Sequence, residues 1–127
     1  MAQKDQLLSD SYQLSVFIFN CTKNMAKALR PTLGRSLEEN SIQLIFTARK
    51  ALSTKDHMRI SSLHQASEHL DKLKLLLQLS YDMQATTIAS IAEMSTLTNQ
   101  IGKQIGGLIR FYHQQNGRNL PSKLSGE

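Results

Sequence analysis

The sequence has few of the features that build crosslinked, secreted or membrane-spanning proteins. Its 127 residues include one cysteine, Cys21, which excludes an internal disulfide framework and indicates a reducing compartment such as the cytoplasm. It contains no run of eighteen apolar residues, so it predicts no transmembrane helix. The opening stretch MAQKDQLLSDSYQ lacks the apolar segment of a signal peptide. We therefore expect a cytoplasmic protein with a single compact domain and no membrane partner.

The residue patterns of catalytic and metal centres are also missing. The four histidines are His57, His64, His69 and His113. They form neither an HExxH motif nor a Glu-x-x-His pair, so neither common zinc nor di-iron ligation is predicted. Cys21 falls in the middle of a predicted helix on its apolar side, where a core role is favoured over nucleophilic chemistry. The sequence therefore predicts no enzyme, with no catalytic residue, metal, cofactor or small-molecule substrate.

What the sequence does contain is helical periodicity, in four segments. Pro31 with Gly34, Ser53 with Thr54, and the stretch 82–87 separate these segments. The recurring apolar and small positions are Leu7, Leu14, Ile18, Met25 and Leu29; Leu33, Leu37, Leu44, Ala48 and Ala51; Ile60, Leu63, Leu70, Leu73 and Leu77; and Ile91, Met94, Thr98, Ile101, Ile105, Leu108 and Tyr112. Each series forms one stripe on a helix, and no segment alternates as a strand would.

Short connections between such helices make neighbouring helices antiparallel. The sequence therefore predicts an all-α, up-down-up-down antiparallel four-helix bundle over residues 1–115. Residues 116–127 are polar and contain Pro121, and they are predicted to form a flexible tail.

Three of the predicted helices carry further apolar residues outside the core stripe. These are Tyr12, Val16 and Phe19 in the first, Ile42 and Phe46 in the second, and Leu75 and Leu79 in the third. At 100° per residue they point away from the core positions. One interpretation is a broad core stripe, and the other is a contiguous patch that meets a partner. We predict that Ile42, Phe46, Leu75 and Leu79 form an oligomer interface.

Three glycines interrupt the fourth predicted helix. Gly102, Gly106 and Gly107 lie in its interior, where each costs about 1 kcal/mol relative to alanine. Gly102 and Gly106 are four residues apart, a spacing that lets another helix approach closely. Close helix packing is the favoured interpretation, and a hinge is the alternative.

Basic residues outnumber acidic ones. Fifteen Lys and Arg against ten Asp and Glu give a net charge of +5 and a pI near 9.6, which favours RNA, DNA or an acidic protein face as partner. Lys23, Lys27 and Arg30 follow helical spacing and predict one stripe on the back of the first helix. Lys103 and Arg110 do the same on the fourth.

The charged positions have two interpretations, a solvated face or a surface that contacts phosphates without reading bases. Four Phe and three Tyr are too few to form a platform for stacked bases. The predicted nucleic-acid-binding residues are Lys23, Lys27, Arg30, Arg35, Arg49, Lys74, Lys103 and Arg110.

Three stretches, taken in order, resemble one protein family. They are TLGRSLEENSIQLI (32–45), LHQASEHLDKLKLLLQLSYDMQ (63–84) and IGKQIGGLI (101–109). Together they resemble helices of the accessory variability determinant (Avd) family of diversity-generating retroelements. That family is related to the bundle proteins encoded in intervening sequences of bacterial 23S rRNA genes. The resemblance covers residues 7–111.

The resemblance implies a homopentameric barrel of four-helix bundles without a catalytic centre. It implies association with the reverse transcriptase of the retroelement and with its template RNA, in support of mutagenic cDNA synthesis. The net positive charge adds DNA as a further polyanion. The alternative is an oligomeric bundle of the 23S rRNA intervening-sequence type, with a structural or unknown role.

Overall fold

The computed structural model describes residues 3–53, 55 and 57–119, and this part of the chain is almost entirely helical. It forms α1 (Gln3–Lys23), α2 (Arg35–Ser53), α3 (His57–Asp82) and α4 (Ile88–Asn119), with a π-helical turn at Arg30–Gly34 leading into α2. No strand occurs among the described residues. The prediction of an all-α four-helix protein is confirmed.

The helices pack as a four-sided bundle. Both α1 and α3 lie against α2 and α4, so α1 and α3 occupy diagonal corners. Contacts across the bundle show that its neighbours are antiparallel. The hydroxyl of Thr22 at the end of α1 donates to the carboxylate of Glu38 near the start of α2. At the other end, the guanidinium of Arg59 in α3 lies 4.4 Å from the ring centre of Tyr112 in α4. This is the predicted up-down-up-down topology.

The core is built from the predicted stripes. All the predicted positions of the second and third segments are buried, and Leu29 and Ile91 are the two predicted core residues that are only half-buried. A polar contact crosses the interior between α1 and α2, where the hydroxyls of Ser15 and Ser41 lie 2.9 Å apart. Burial of apolar surface at about 25 cal/mol per Å² is the main force that holds the helices together.

α1 ends at Lys23, six residues before the last core position assigned to the first segment. The amides of Asn24 and Met25 each bond a carbonyl three residues back, at 3.2 Å, which tightens and closes the helix. Met25 nevertheless remains buried, so the connection keeps its core contact without being helical. The stripe of Lys23, Lys27 and Arg30 predicted for the first helix is therefore not a helical stripe.

The π-helical turn replaces a simple start of α2. The amide of Gly34 donates to the carbonyl of Leu29, five residues earlier, at 3.0 Å, and the amide of Arg35 donates to the carbonyl of Arg30. Pro31 occupies the first turn, where its missing N–H costs little. The turn carries one residue more than an α-helical turn.

The connection from α3 to α4 is closed by backbone bonds. Gln84 has φ of 54°, the left-handed conformation that commonly ends a helix. Its amide donates to the carbonyl of Tyr81, and the amide of Ala85 donates to the carbonyl of Ser80, which is the Schellman pattern. The hydroxyl of Thr87 then accepts the amide of Ser90 at 3.0 Å and caps the start of α4.

The predicted boundary between bundle and tail lies inside α4. The helix runs to Asn119, so residues 116–119 continue it. The rest of the predicted tail, residues 120–127, lies outside the described residues.

Candidate nucleic-acid interface

The eight predicted basic residues separate into two groups and two single positions. Lys27, Arg30 and Arg35 gather around the π-helical turn. Lys74 lies on α3 beside α4, and Lys103 and Arg110 lie on α4 itself. Lys23 and Arg49 line separate hollows along α1. The structure therefore breaks the stripe predicted for the first helix, keeps Lys103 and Arg110 exposed on α4, and forms two distinct basic surfaces.

The first surface is concave, and we call it the π-turn cleft. Its volume is about 600 Å³, and it is lined by Thr22, Lys27, Arg30, Pro31, Arg35 and Glu38. The Nε of Arg30 donates to the carbonyl of Met25 at 2.9 Å, which fixes the guanidinium at the edge of the cleft.

The acidic residues near this cleft already have partners. The carboxylate of Glu38 accepts the hydroxyl of Thr22, and Glu39 lies 4.0 Å from the Nε of Arg35. Both side chains of that ion pair are about 70% exposed, at 72% and 69%, so the pair is screened by water and holds Arg35 weakly. The cleft therefore keeps a surplus of positive charge.

The second surface, which we call the glycine face, surrounds the glycines of α4. A Cβ built on Gly102 would lie 3.4 Å from Leu70 and 3.6 Å from the Nζ of Lys74, both on α3. A Cβ on Gly106 would lie 3.6 Å from an Nη of Arg110, on its own helix. Cationic groups thus stand beside backbone that carries no side chain.

The three glycines do not share one role within the chain. Gly102 faces α3, as the close-packing interpretation predicts. Gly106 meets no other described helix within 4 Å of its built Cβ, because it is turned toward the outer side of α4, and close packing inside the bundle is not its reason for being glycine. Gly107 is half-buried.

The cations of the glycine face are open to solvent. Lys74, Lys103 and Arg110 are exposed, and none of them forms an ion pair with a residue that the structure describes. Cations held on rigid helices with no protein counter-ion are available for phosphate oxygens. Arg59 is different, because it packs over the ring of Tyr112.

The predicted interface residues lie on two outer faces of the bundle. Phe46, Leu75 and Leu79 are exposed, by 60%, 73% and 46%, and Ile42 is half-buried. Leu75 and Leu79 form a narrow apolar strip, the α3 ridge, on the side of α3 opposite its core positions. Phe46 belongs instead to a larger apolar surface.

That larger surface, the α1 groove, has a volume of about 1100 Å³. Its apolar lining comes mainly from Tyr12, Val16 and Phe17 of α1, Ile45 and Phe46 of α2, and Leu97 of α4, with Arg49 at its edge. Tyr12 is 62% exposed. Since α1 and α3 are diagonal, the α1 groove and the α3 ridge face opposite directions.

Sequence reasoning missed several of these features. Leu97 and Ile45 join the groove through tertiary packing, which no spacing within one helix predicts. The carboxylate of Asp10 accepts the amide of Gln104 at 2.8 Å, although the two are 94 residues apart. The anchor of Arg30 depends on the turn after α1, which the helical spacing concealed.

The described residues contain no group of three His, Cys, Asp or Glu placed to hold a metal ion, and none of their helices is long and apolar enough to cross a membrane. Burial, together with the charge of Lys72, lowers the pKa of His69, and Glu68 opposes the shift.

Comparison with known proteins identifies the fold. No family model and no curated protein sequence matches the chain. Among solved structures, it is similar to a protein of unknown function from the S23 ribosomal protein family of Bacteroides thetaiotaomicron, with a TM-score of 0.79 and 14% identity. The match covers 86% of this chain and 99% of that one. The TM-score shows that the two proteins share a fold, and at 14% identity the likeness shows the fold alone.

Proposed function

We propose that this chain is a non-catalytic, ring-forming protein of the cytoplasm that binds nucleic acid as an accessory subunit of a retroelement reverse transcriptase. The resemblance of three stretches to the Avd family supplies the reverse transcriptase and its template RNA as partners. The strongest physical support is the glycine face, where Lys74, Lys103 and Arg110 are exposed and have no described counter-ion.

The two apolar surfaces support the ring-forming part of this proposal. The α1 groove and the α3 ridge are different surfaces on opposite sides of the bundle, which is what a heterologous, head-to-tail contact requires. Such contacts close into rings when the rotation between copies permits. The number five comes from the family resemblance. In a ring each copy repeats both basic surfaces, and repeated weak phosphate contacts along one strand raise the overall affinity.

A second candidate is a bundle of the 23S rRNA intervening-sequence type, and the fold shared with an S23-family protein favours it. Genomic position separates the two candidates. An adjacent reverse-transcriptase gene with a nearby variable repeat supports the accessory role, whereas a gene inside an rRNA operon supports the alternative.

A titration with single-stranded RNA at two or more salt concentrations tests nucleic-acid binding. Because each phosphate contact releases counterions, log affinity should fall by about 0.7 per contact for each unit of log salt. Lys103→Glu should weaken the binding of all sequences alike and reduce this slope. Lys55→Glu makes the same charge change at an exposed position between α2 and α3 and serves as control.

The proposal fails if the wild type does not bind RNA at low salt. It also loses its physical support if Lys103→Glu and Lys55→Glu bind equally well. Light scattering on each variant shows whether assembly is intact, so a change of affinity can be assigned to the surface charge.

A further inference from the structure

We propose that the π-turn cleft is a specific site for one phosphate group, either of a nucleotide or of a nucleic-acid strand. The inference deepens the proposed nucleic-acid role and rests on it for its biological source. The two basic surfaces would then differ in kind, because the glycine face attracts a strand along its length while the cleft holds a single phosphate.

The charges of the cleft come from three separate segments. Lys27 belongs to the connection after α1, Arg30 to the π-helical turn, and Arg35 to the start of α2. The carboxylate that lines the cleft is Glu38, whose oxygen already accepts the hydroxyl of Thr22. Glu39 stands beside Arg35 in an exposed pair, which a phosphate dianion can displace at small cost. The cleft is therefore lined by three cationic side chains and by one carboxylate, that of Glu38, which already accepts a hydrogen bond.

The position of Arg30 distinguishes the cleft from an ordinary charged surface. Its Nε is committed to the carbonyl of Met25 at 2.9 Å, which leaves its two terminal nitrogens to donate elsewhere. A guanidinium held in this way loses less conformational freedom when it binds two phosphate oxygens. The hydrogen bond to the backbone therefore already orders the Arg30 side chain, and phosphate binding costs less of its conformational entropy.

The backbone of the turn adds to the same field. No side chain caps the start of the turn at Leu29, where the amides of Leu29 and Arg30 donate to the carbonyl of Ala26. The positive end of the α2 dipole lies at this point. The volume of about 600 Å³ is large enough for a phosphate with its attached nucleoside. Pro31 provides an apolar wall that a sugar can contact.

Titration of the full, isotope-labelled chain with inorganic phosphate at constant ionic strength tests the site. We expect saturable amide shifts over residues 29–35. Lys27→Gln should weaken phosphate binding about tenfold, the effect of losing one hydrogen bond to a charged group. Lys27 is exposed and forms no described hydrogen bond, so this variant should fold as the wild type does. Lys55→Gln, at the opposite end of α2, should bind phosphate like the wild type.

Two oligonucleotides of one sequence, with a 5′-phosphate or a 5′-hydroxyl, identify the source of the phosphate. Tighter binding of the 5′-phosphate strand assigns the cleft to a strand end. Equal binding, weakened in both strands by Lys27→Gln, assigns it to internal phosphodiesters. If a nucleoside monophosphate binds but neither oligonucleotide does, the cleft is a phosphate site and the nucleic-acid role is overturned.

The cleft proposal is overturned if the phosphate shifts do not saturate, or if Lys27→Gln and Lys55→Gln bind phosphate equally. If the strands still bind under those conditions and lose affinity through Lys103→Glu, the nucleic-acid role survives and the cleft does not. Arg30→Gln provides a second test, because it removes the anchored guanidinium and should abolish the saturable shifts.

Discussion

The α1–α2 hairpin and the α3–α4 hairpin bury equivalent stripes, yet they present different exteriors. The first has a broad apolar groove and a concave basic cleft. The second has a narrow ridge at Leu75 and Leu79 and a basic surface over glycines. The interior explains why the chain folds as a bundle. Under the proposed assembly and nucleic-acid role, the difference between the exteriors would determine how copies meet and where a polyanion binds. A groove and a ridge can interlock, whereas two equal ridges cannot.

The largest expected effect is loss of assembly when either apolar surface is charged. Val16→Glu in the α1 groove and Leu75→Glu on the α3 ridge should each give a monomer mass in light scattering at micromolar concentration. Both residues are exposed, so circular dichroism should remain that of the wild type. Ser61→Glu, an exposed polar position on α3, is the control and should assemble normally.

Mixing the two variants sharpens this comparison. In a head-to-tail contact, the intact ridge of Val16→Glu should fit the intact groove of Leu75→Glu, and growth should stop at a heterodimer. If the contact were symmetric, pairing each face with itself, the mixture would contain no such species. A wild-type chain that is monomeric at every concentration would refute both the interface and the ring.

The next effect concerns the glycines of α4. Gly102→Leu should lower the free energy of unfolding by about 1–3 kcal/mol, the usual cost of overpacking, because the new side chain meets Leu70 of α3. Gly106→Leu should cost less, since its Cβ faces Arg110 on the same helix. Urea denaturation measures both. Equal losses of unfolding free energy in the two variants would contradict the different positions of Gly102 and Gly106. If Gly106→Leu unfolds like the wild type but no longer assembles, Gly106 lies between copies.

The two hairpin connections should respond oppositely to glycine. Gln84 adopts a left-handed conformation, with φ of 54°, that costs a non-glycine residue about 1–2 kcal/mol. Gln84→Gly should therefore raise the free energy of unfolding by up to about 1 kcal/mol, after the greater freedom of glycine in the unfolded chain is deducted. Asn24→Gly, in the other connection, has no positive φ to relieve and should not stabilise. If thermal unfolding shows that both variants are more stable than the wild type, the two connections do not differ in their response to glycine.

The smallest effect is on the pH dependence at the contact between the hairpins. The Nδ1 of His69 in α3 lies 3.4 Å from the amide oxygen of Asn40 in α2. Burial, together with Lys72, lowers the pKa of His69. The unfolded chain then binds the proton more readily, so this contribution to stability is full above about pH 6.5 and declines as the pH falls through the folded pKa. His69→Gln should remove this decline in denaturation curves from pH 7.5 to 5.5, with His64→Gln as control. An unchanged decline in His69→Gln would assign it to other groups.

Much of the fold was predictable because the core depends on periodicity within each helix. Leu44, Leu63, Leu73 and Ile101 are completely buried, as their spacing predicts. The end of α1 was not predictable from the sequence. Residues 24–29 contain good helix formers and keep Met25 at helical spacing, so no local signal marks the end of the helix.

The candidate surfaces were less predictable. The identity of the cations and exposed apolar residues follows from composition and helical angle, but their grouping depends on tertiary contacts. Lys27, Arg30 and Arg35 converge because the chain leaves α1 early and enters α2 through a π-helical turn. Leu97 joins Tyr12 because α4 packs beside α1.

The π-helical turn at Arg30–Gly34 also has a consequence for how this chain tolerates insertions and deletions. A turn closed by a five-residue bond holds one residue more than its α-helical counterpart, and each residue in an α-helix turns the chain by 100°. Removal of Thr32 would therefore convert the segment to a regular helix without disturbing the buried stripe of α2. We expect this change to alter the positions of Lys27 and Arg30 relative to Arg35, because the chain before the turn would lie one residue closer to α2. The length of this turn, and not its composition alone, would then affect whether the three cations line one cleft.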